Sequence, residues 1–289
     1  MFLRLTHVTG YTYSQPVTFA PHALYLRPRE SPRQRLHEFT LQITPSARCV
    51  ATNDPLDNAL DWAYFAPETQ ARQLQFRSEM MVETLDSNPF DFFLKPTAIG
   101  YPFSYDNAEA AALGPCLARV DDADTTALRR WLANLLPSLP QETVPLVTAL
   151  NQVVNQGLRY NRRDEPGIQP AAATIQLGTG SCRDYAVVLI ELCRLHGIAA
   201  RFVSGYLYEA PLPNIANPVG PTMHAWTEVY LPGGGWRGLD STRGIFCDDS
   251  FVPVAHAAVA ESVNPIQGNF FGLPGITSTL STHLTIHRL

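Results

Sequence analysis

A loop of small residues, Gly178-Thr179-Gly180-Ser181, runs straight into Cys182-Arg183-Asp184-Tyr185, and this junction constrains the chain more than any other stretch. Beyond it Tyr185, Ala186, Leu189, Ile190, Leu192, Cys193 and His196 recur at three-to-four spacing until Gly197, which predicts an amphipathic helix pinned to a core. Cys182 then sits in the first turn, where unpaired amides and the helix dipole favour a thiolate. A lone cysteine is otherwise a small buried hydrophobe, and Cys193, on the apolar stripe of the same helix, reads that way. A phosphate loop is rejected, because no lysine follows the glycines and their spacing does not match.

With 289 residues, 45% hydrophobic and 16% charged, the chain is long enough for two domains with cores of their own. It opens Met1-Phe2-Leu3-Arg4-Leu5-Thr6-His7, without the basic and apolar segments of a secretory signal. Five cysteines and no Cys-x-x-Cys pair argue for a reducing compartment, and the cytoplasm is the expected location. The net charge is −5 and no basic run is long enough to track a phosphate backbone, so neither nucleic acid nor a membrane is an expected partner. Lys95 is the single lysine and lies in a Pro-flanked loop, which sets Schiff-base chemistry aside.

Residues 1 to about 86 show period-two and aromatic-rich runs broken by turns: Leu3 to Tyr13, Ala23 to Leu26, Glu38 to Ile43, Ala59 to Phe65 and Leu74 to Thr84. Short strands at this spacing predict an antiparallel β-sandwich over 1–95, with Tyr11, Tyr13, Phe39, Trp62 and Phe65 in its core. Pro- and Gly-rich residues 96–120 read as a linker. The second domain, 121–289, begins with helices from Asp121 to Leu136, capped by Asp122 or Asp124, and from Gln141 to Gln156; the Cys182 helix is the third. Strands follow at Arg201 to Tyr208, Met223 to Leu231 and Trp236 to Asp240, with Leu280 to Leu289 expected to close their sheet. The fold class is α+β.

A thiolate nucleophile needs an imidazole to share its proton, and eight histidines are present. His7, His22 and His37 fall in the sandwich, His283 and His287 on the last strand, and His256 has no evident acidic partner. His196 ends the Cys182 helix, about 20 Å from its start. His224 remains, on a strand whose antiparallel neighbour ends in Asp240; taken alone, it reads as a core histidine held by a backbone carbonyl. Glu228, on the same face, lies about 13 Å away, too far to orient the ring. Pairing of His224 with Asp240 depends on the register of the Gly-rich turn, and a hairpin centred on Gly233-Gly234 leaves Asp240 nearer Thr227. Cys182, Cys193, His196 and His224 lack the close ligand pairs of a zinc site, so no metal and no cofactor is expected.

Three ordered blocks carry a resemblance: Gly180 to Ala186 (GSCRDYA) with Arg194 to Tyr206 (RLHGIAARFVSGY), then His224 to Gly233 (HAWTEVYLPG), then Gly235 to Thr242 (GWRGLDST). Together the chain resembles the bacterial transglutaminase-like superfamily of papain-type cysteine enzymes. The segments His7 to Tyr13, Leu26 to Arg29 and Asp54 to Asn58 are similar to the β-domain that precedes the core in such proteins. Two departures stand out: Asp240-Ser241-Thr242 replaces the usual Asp-Pro-Thr, and Val259-Ala260-Glu261-Ser262 occupies the place of a Gly-Arg-Asp-Tyr segment.

The resemblance implies a papain-like core that acts on amide bonds of a peptide or protein substrate, with Cys182 as nucleophile, His224 as general base and Asp240 as the orienting carboxylate. Asp184 is a candidate brace for the loop over the helix start. The Cys182 amide is one expected oxyanion donor; Tyr160 is a candidate second donor and equally a strand-end core tyrosine. Trp226 and Trp236 are candidate walls of an acyl channel, and equally packing residues. A different class of function also fits: a non-catalytic module that binds peptides through the core, with the sandwich docking a protein partner.

Overall fold

The computed structural model describes residues 1–119, 122–163, 167–210 and 223–289, with the side chains of 122–124 left aside. Both proposed caps of the first predicted helix, Asp122 and Asp124, and the loop from 211 to 221 therefore lie outside what is described.

Alternating burial builds the first lobe. In β1 (Phe2–Phe19), Leu3, Leu5 and His7 point inward while their neighbours face solvent, the signature of a strand with one wetted face. β2 (His22–Leu24), β3 (Gln34–Thr44), β4 (Arg48–Asn53), β5 (Ala59–Tyr64) and β6 (Ala71–Thr84) follow. They form two antiparallel layers, β1-β6-β3 and β2-β5-β4, and Tyr13, Val17 and Phe19 of one layer meet Leu24 and Ala63 of the other. This is the expected sandwich. Of the predicted core aromatics only Tyr13 is fully buried; Tyr11, Phe39, Trp62 and Phe65 are half-buried at its margin, and Phe39 lies beneath the Arg27 guanidinium. The unpredicted strand β4 is exposed along its whole length, so it carries no alternation to read.

The linker expectation is corrected in part. Within 96–120 stands a helix, α1 (Asn107–Leu117), whose Asp106 carboxylate accepts the Glu109 amide while Glu109 reaches back to the Asp106 amide. That reciprocal cap was legible as Asp-x-x-Glu, but Gly114 and Pro115 masked it. The second lobe continues with α2 (Asp122–Leu135), α3 (Thr143–Gly157), β7 (Arg159–Tyr160), the unpredicted α4 (Ala171–Leu177), β8 (Thr179–Gly180) and α5 (Cys182–Leu195). Strands β9 (Ala200–Leu207), β10 (Met223–Leu231), β11 (Gly235–Asp240), β12 (Ile245–Phe246) and β13 (Phe251–Ala257) form one antiparallel sheet in the order β12-β11-β10-β9-β13. Helix α5 packs on this sheet through Tyr185, Val188, Leu189 and Leu192, all at most 2% exposed.

The C-terminal strand is the larger correction. β14 (Ile266–Gln267) pairs with β2, β15 (Phe270–Phe271) and β16 (Ser278–Arg288) pair with β1, and none of the three closes the second sheet. The chain thus returns to the first lobe, with Leu3 opposite Arg288 and Tyr13 opposite Ser278. Leu3, Leu5, Met80 and Val82 of the sandwich belong to the same contiguous core as Leu189, Tyr206 and Val252 of the second lobe. The two lobes share one apolar interior.

Candidate active site

Cys182 occupies the first helical position of α5, after Ser181 in extended conformation. Asp184, wholly buried, holds this start: its Oδ2 accepts from the Ser181 amide at 2.8 Å and hydroxyl at 2.9 Å, and its Oδ1 accepts from the Gln169 amide at 2.8 Å. The Arg163 guanidinium lies 3.1 Å from the same carboxylate. Asp184 thus ties the loop before α4 to the helix start.

His224 stands one residue into β10. Thr227, farther along that strand, donates its hydroxyl to the Ala186 carbonyl of α5 at 3.0 Å, which fastens the strand of the imidazole to the helix of the thiol. The hairpin β10-β11 pairs Thr227 with Leu239 and Leu231 with Gly235, so it is centred on Gly233 rather than on Gly233-Gly234. One residue of register turns a side chain to the other face of a sheet. Continued one step, the observed register sets Asp240 across from Trp226, on the face of His224, and the diagonal gap is within reach of both side chains. The His224 Nε2 lies 2.9 Å from Asp240 Oδ2. The Cys182 thiol lies close enough to the same ring to act on its charge.

Electrostatics follow from this geometry. Burial alone disfavours an imidazolium, yet the hydrogen bonds from His224 to Asp240 and Cys182, and the charges of both, raise its pKa to about 10. Asp240 is wholly buried, which alone would raise its carboxyl; hydrogen bonds from His224 and Thr242 hold it below the usual carboxylate range instead. Thr242 supplies two of them to Oδ1, from its amide at 2.9 Å and its hydroxyl at 2.7 Å. Asn155 of α3 donates to the carbonyls of Ser241 and Thr242 at 3.0 and 2.9 Å, fixing the turn that carries Asp240. The fold thus gathers a thiol at a helix start, an imidazole and a buried carboxylate, groups able to pass a proton among them.

The comparisons agree with that reading of the fold. Residues 133–241 match the model of the transglutaminase-like superfamily core, and residues 3–83 that of the bacterial transglutaminase-like N-terminal region. The chain joins a transglutaminase-like core to that N-terminal region. An uncharacterized protein of Mycobacterium tuberculosis is 29% identical over 280 residues, 92% of this chain and 86% of its own length. Another from Mycobacterium leprae is 25% identical over 293 residues, 93% of each chain. A crystal structure of a candidate cysteine protease from Cytophaga hutchinsonii shares the fold at a TM-score of 0.72 and 19% identity, covering 99% of this chain and 90% of that one.

Within the transglutaminase-like core, the remaining expected site residues separate. Tyr160 of β7 pairs with Gly180 of β8, two positions before Cys182, and keeps 51% of its surface exposed. Its burial, together with the nearby Cys182, raises the phenol's pKa, which preserves it as a hydrogen-bond donor. Trp226 is 2% exposed and packs edge-on against Phe251 at 5.3 Å, so it backs the site and does not wall an open channel. Trp236 is also corrected: it sits at the far end of β11 from Asp240, stacked under Arg201 at 3.9 Å and against Tyr230, with its carbonyl bound by Arg33 of the first lobe.

The other histidines that are not exposed have structural partners. His7 bonds Tyr206 and Thr9 and is pushed by burial down to about 4; His22 bonds the Ala20 carbonyl; His196 bonds Tyr101 at the far end of α5. His256, whose pKa burial lowers to about 3, lies between Arg29 and Asn58. Cys193 is wholly buried, and burial raises its thiol to about 12, in keeping with its place on the apolar stripe. Sequence reasoning missed Thr227, Asn155, Thr242 and Phe251. Only Thr242 had a signal, as the conserving member of the Asp240-Ser241-Thr242 variant; the others act through contacts remote in sequence.

Proposed function

We propose that this protein is a cysteine-dependent amide hydrolase or acyltransferase that acts on a peptide-like substrate through an acyl-enzyme. The observation that carries the reading is His224, held between Cys182 at the first turn of α5 and the buried, ionised Asp240. The Cys182 thiolate attacks the scissile carbonyl carbon, and the carbonyl electron pair moves onto oxygen, toward the Cys182 amide and the Tyr160 hydroxyl. When the tetrahedral adduct collapses, the C–N bond breaks and His224 gives its proton to the departing amine, leaving a thioester on Cys182. Water or an amine then attacks the thioester while His224 takes its proton, and the thiolate leaves. Asp240 fixes the ring orientation and stabilises the imidazolium throughout. The free thiols suit a reducing compartment, with the cytoplasm as the proposed location.

The pH dependence of iodoacetamide alkylation at Cys182, read by mass spectrometry, tests the pair. Wild type should be alkylated readily at pH 6, well below the ~8.5 of a free thiol, and His224→Ala should slow this at least about tenfold. A slow thiol indifferent to His224 would instead favour a peptide-binding module without turnover. If the pair is established, incubation with peptide amides and esters, with and without an added primary amine, should give a Cys182 acyl adduct and separate hydrolysis from transfer.

A further inference from the structure

The first lobe touches the second at the back of His224. A small interlobe cleft of about 60 Å³ is lined by Gln34 and Thr84 from the sandwich and by Trp226, Phe251 and Pro253 from the core sheet. Phe251 is 4% exposed; its ring lies 6.2 Å from the His224 imidazole and 5.3 Å from Trp226, so it forms the wall behind the imidazole. The backbone on either side of Phe251 is held from the other lobe. The Thr84 hydroxyl donates to the Asp249 carbonyl at 2.5 Å, and the Gln34 amide donates to the Pro253 carbonyl at 2.9 Å. Both donors are buried, at 2% and 1% exposure. Gln34 is itself anchored at the Arg29 carbonyl, 2.7 Å away. A third hold lies farther along β13, where Asn58 brackets the backbone of His256 through its side-chain oxygen and nitrogen at 2.9 and 2.8 Å.

We infer that the N-terminal lobe is a working part of the active site: Thr84 and Gln34 are positioning residues that hold Phe251 against His224 and thereby set the orientation of the imidazole toward Asp240 and Cys182. The inference rests on the proposed function for the meaning of that orientation, but not for the orientation itself. The second lobe holds this segment from one side only, through pairing with β9 and the Tyr208 amide on the Ser250 carbonyl, because β13 is the edge strand of its sheet. The covering lobe therefore replaces the missing neighbour strand with side-chain donors, and through Phe251 its placement is felt at the imidazole.

The test uses full-length protein and reads the His224 ring directly, by its NMR titration, beside Cys182 alkylation at pH 6 and the thermal midpoint. Thr84→Val, which keeps shape and removes the donor, and Phe251→Leu should each lower the His224 titration by about one pH unit and slow alkylation about tenfold. Thr84→Ser should restore both. The double variant Thr84→Val with Phe251→Leu should move the titration no further than Phe251→Leu alone, since the two act in series. A lower thermal midpoint with the titration unmoved, or additive shifts in the double variant, would make the bracket merely structural and overturn the inference. Should Thr84→Val fail to fold, Gln34→Met with Phe251→Leu carries the same comparison. A wild-type thiol that is inert at pH 6 while the His224 titration still responds to Thr84 would sink the proposed function and leave the positioning intact.

Discussion

At the residue scale, Asp240 decides the character of the site. It is wholly buried, and its two oxygens divide their work: Oδ1 accepts twice from Thr242, while Oδ2 faces the imidazole. A buried carboxylate with these partners stays ionised, and its charge is what keeps the neighbouring imidazole protonated in a place where burial opposes it. Asp240→Asn preserves size and an acceptor but removes the charge. The His224 titration should fall from about 10 toward the ordinary 6.5 of imidazole, and turnover of any substrate found should drop a hundredfold or more, by roughly the scale set by the analogous change in Ser-His-Asp enzymes. NMR titration and steady-state kinetics on one sample check both. An unfolded variant would assign Asp240 a structural part instead. Ser241 in place of proline is accommodated because the turn is held from outside, by Asn155, rather than by its own backbone stiffness.

At the element scale, the β10-β11 hairpin converts sequence into geometry. Its turn bends at Gly233, whose φ of +87° is a conformation that side chains rarely adopt, and an added Cβ there would lie 2.6 Å from the Lys95 amide nitrogen and 2.8 Å from the Phe93 carbonyl. Those neighbours are backbone and cannot swing aside. Gly233→Ala should cost about 1–3 kcal/mol in urea unfolding, through strain and the displaced 93–95 segment. An unchanged urea midpoint would mean that the turn tolerates another shape, and the register argument for Asp240 would lose its anchor. Gly205 of β9 serves packing: a Cβ there would meet the Val252 carbonyl and Trp226, so the indole lies across β9 where a larger residue does not fit.

At the scale of the whole molecule, the lobes are locked by a common apolar core and by the return of β14, β15 and β16 to the first lobe. Unfolding should be cooperative across both, and the buried pair should write itself into the pH dependence of stability. The folded His224 value lies above that of free imidazole, so its contribution is complete below about pH 6.5 and is lost as the pH rises through about 10. Asp240 is held below its unfolded value, so its contribution is present above about pH 4 and is lost as the pH falls through the lower folded value. The difference in unfolding free energy between wild type and His224→Gln should be largest between about pH 5 and 6.5, on the order of a few kcal/mol, and should shrink toward pH 10. Denaturant titrations across that range measure it; a difference that grows with pH would contradict the charged pair.

Much of this architecture is local information. Period-two patterning set out the sandwich, three-to-four periodicity and Gly197 bounded α5, and small residues before Cys182 placed it at a helix start, because each of these depends on neighbours a few positions away. Cys182 and His224 were legible as candidates from their places on a helix start and a strand, whereas Asp240 came in through the resemblance of the ordered blocks, its pairing left open by the register of the hairpin. What tertiary structure alone decided was which elements meet. β16 alternates well enough for either sheet, both of which offer a free edge, and it joined β1. The hairpin could close on either of two centres, and one residue of register separated a carboxylate facing His224 from one facing away. Thr227, Asn155, Thr84 and Gln34 act across dozens of residues through hydrogen bonds to backbone carbonyls, and a carbonyl leaves no mark in a sequence.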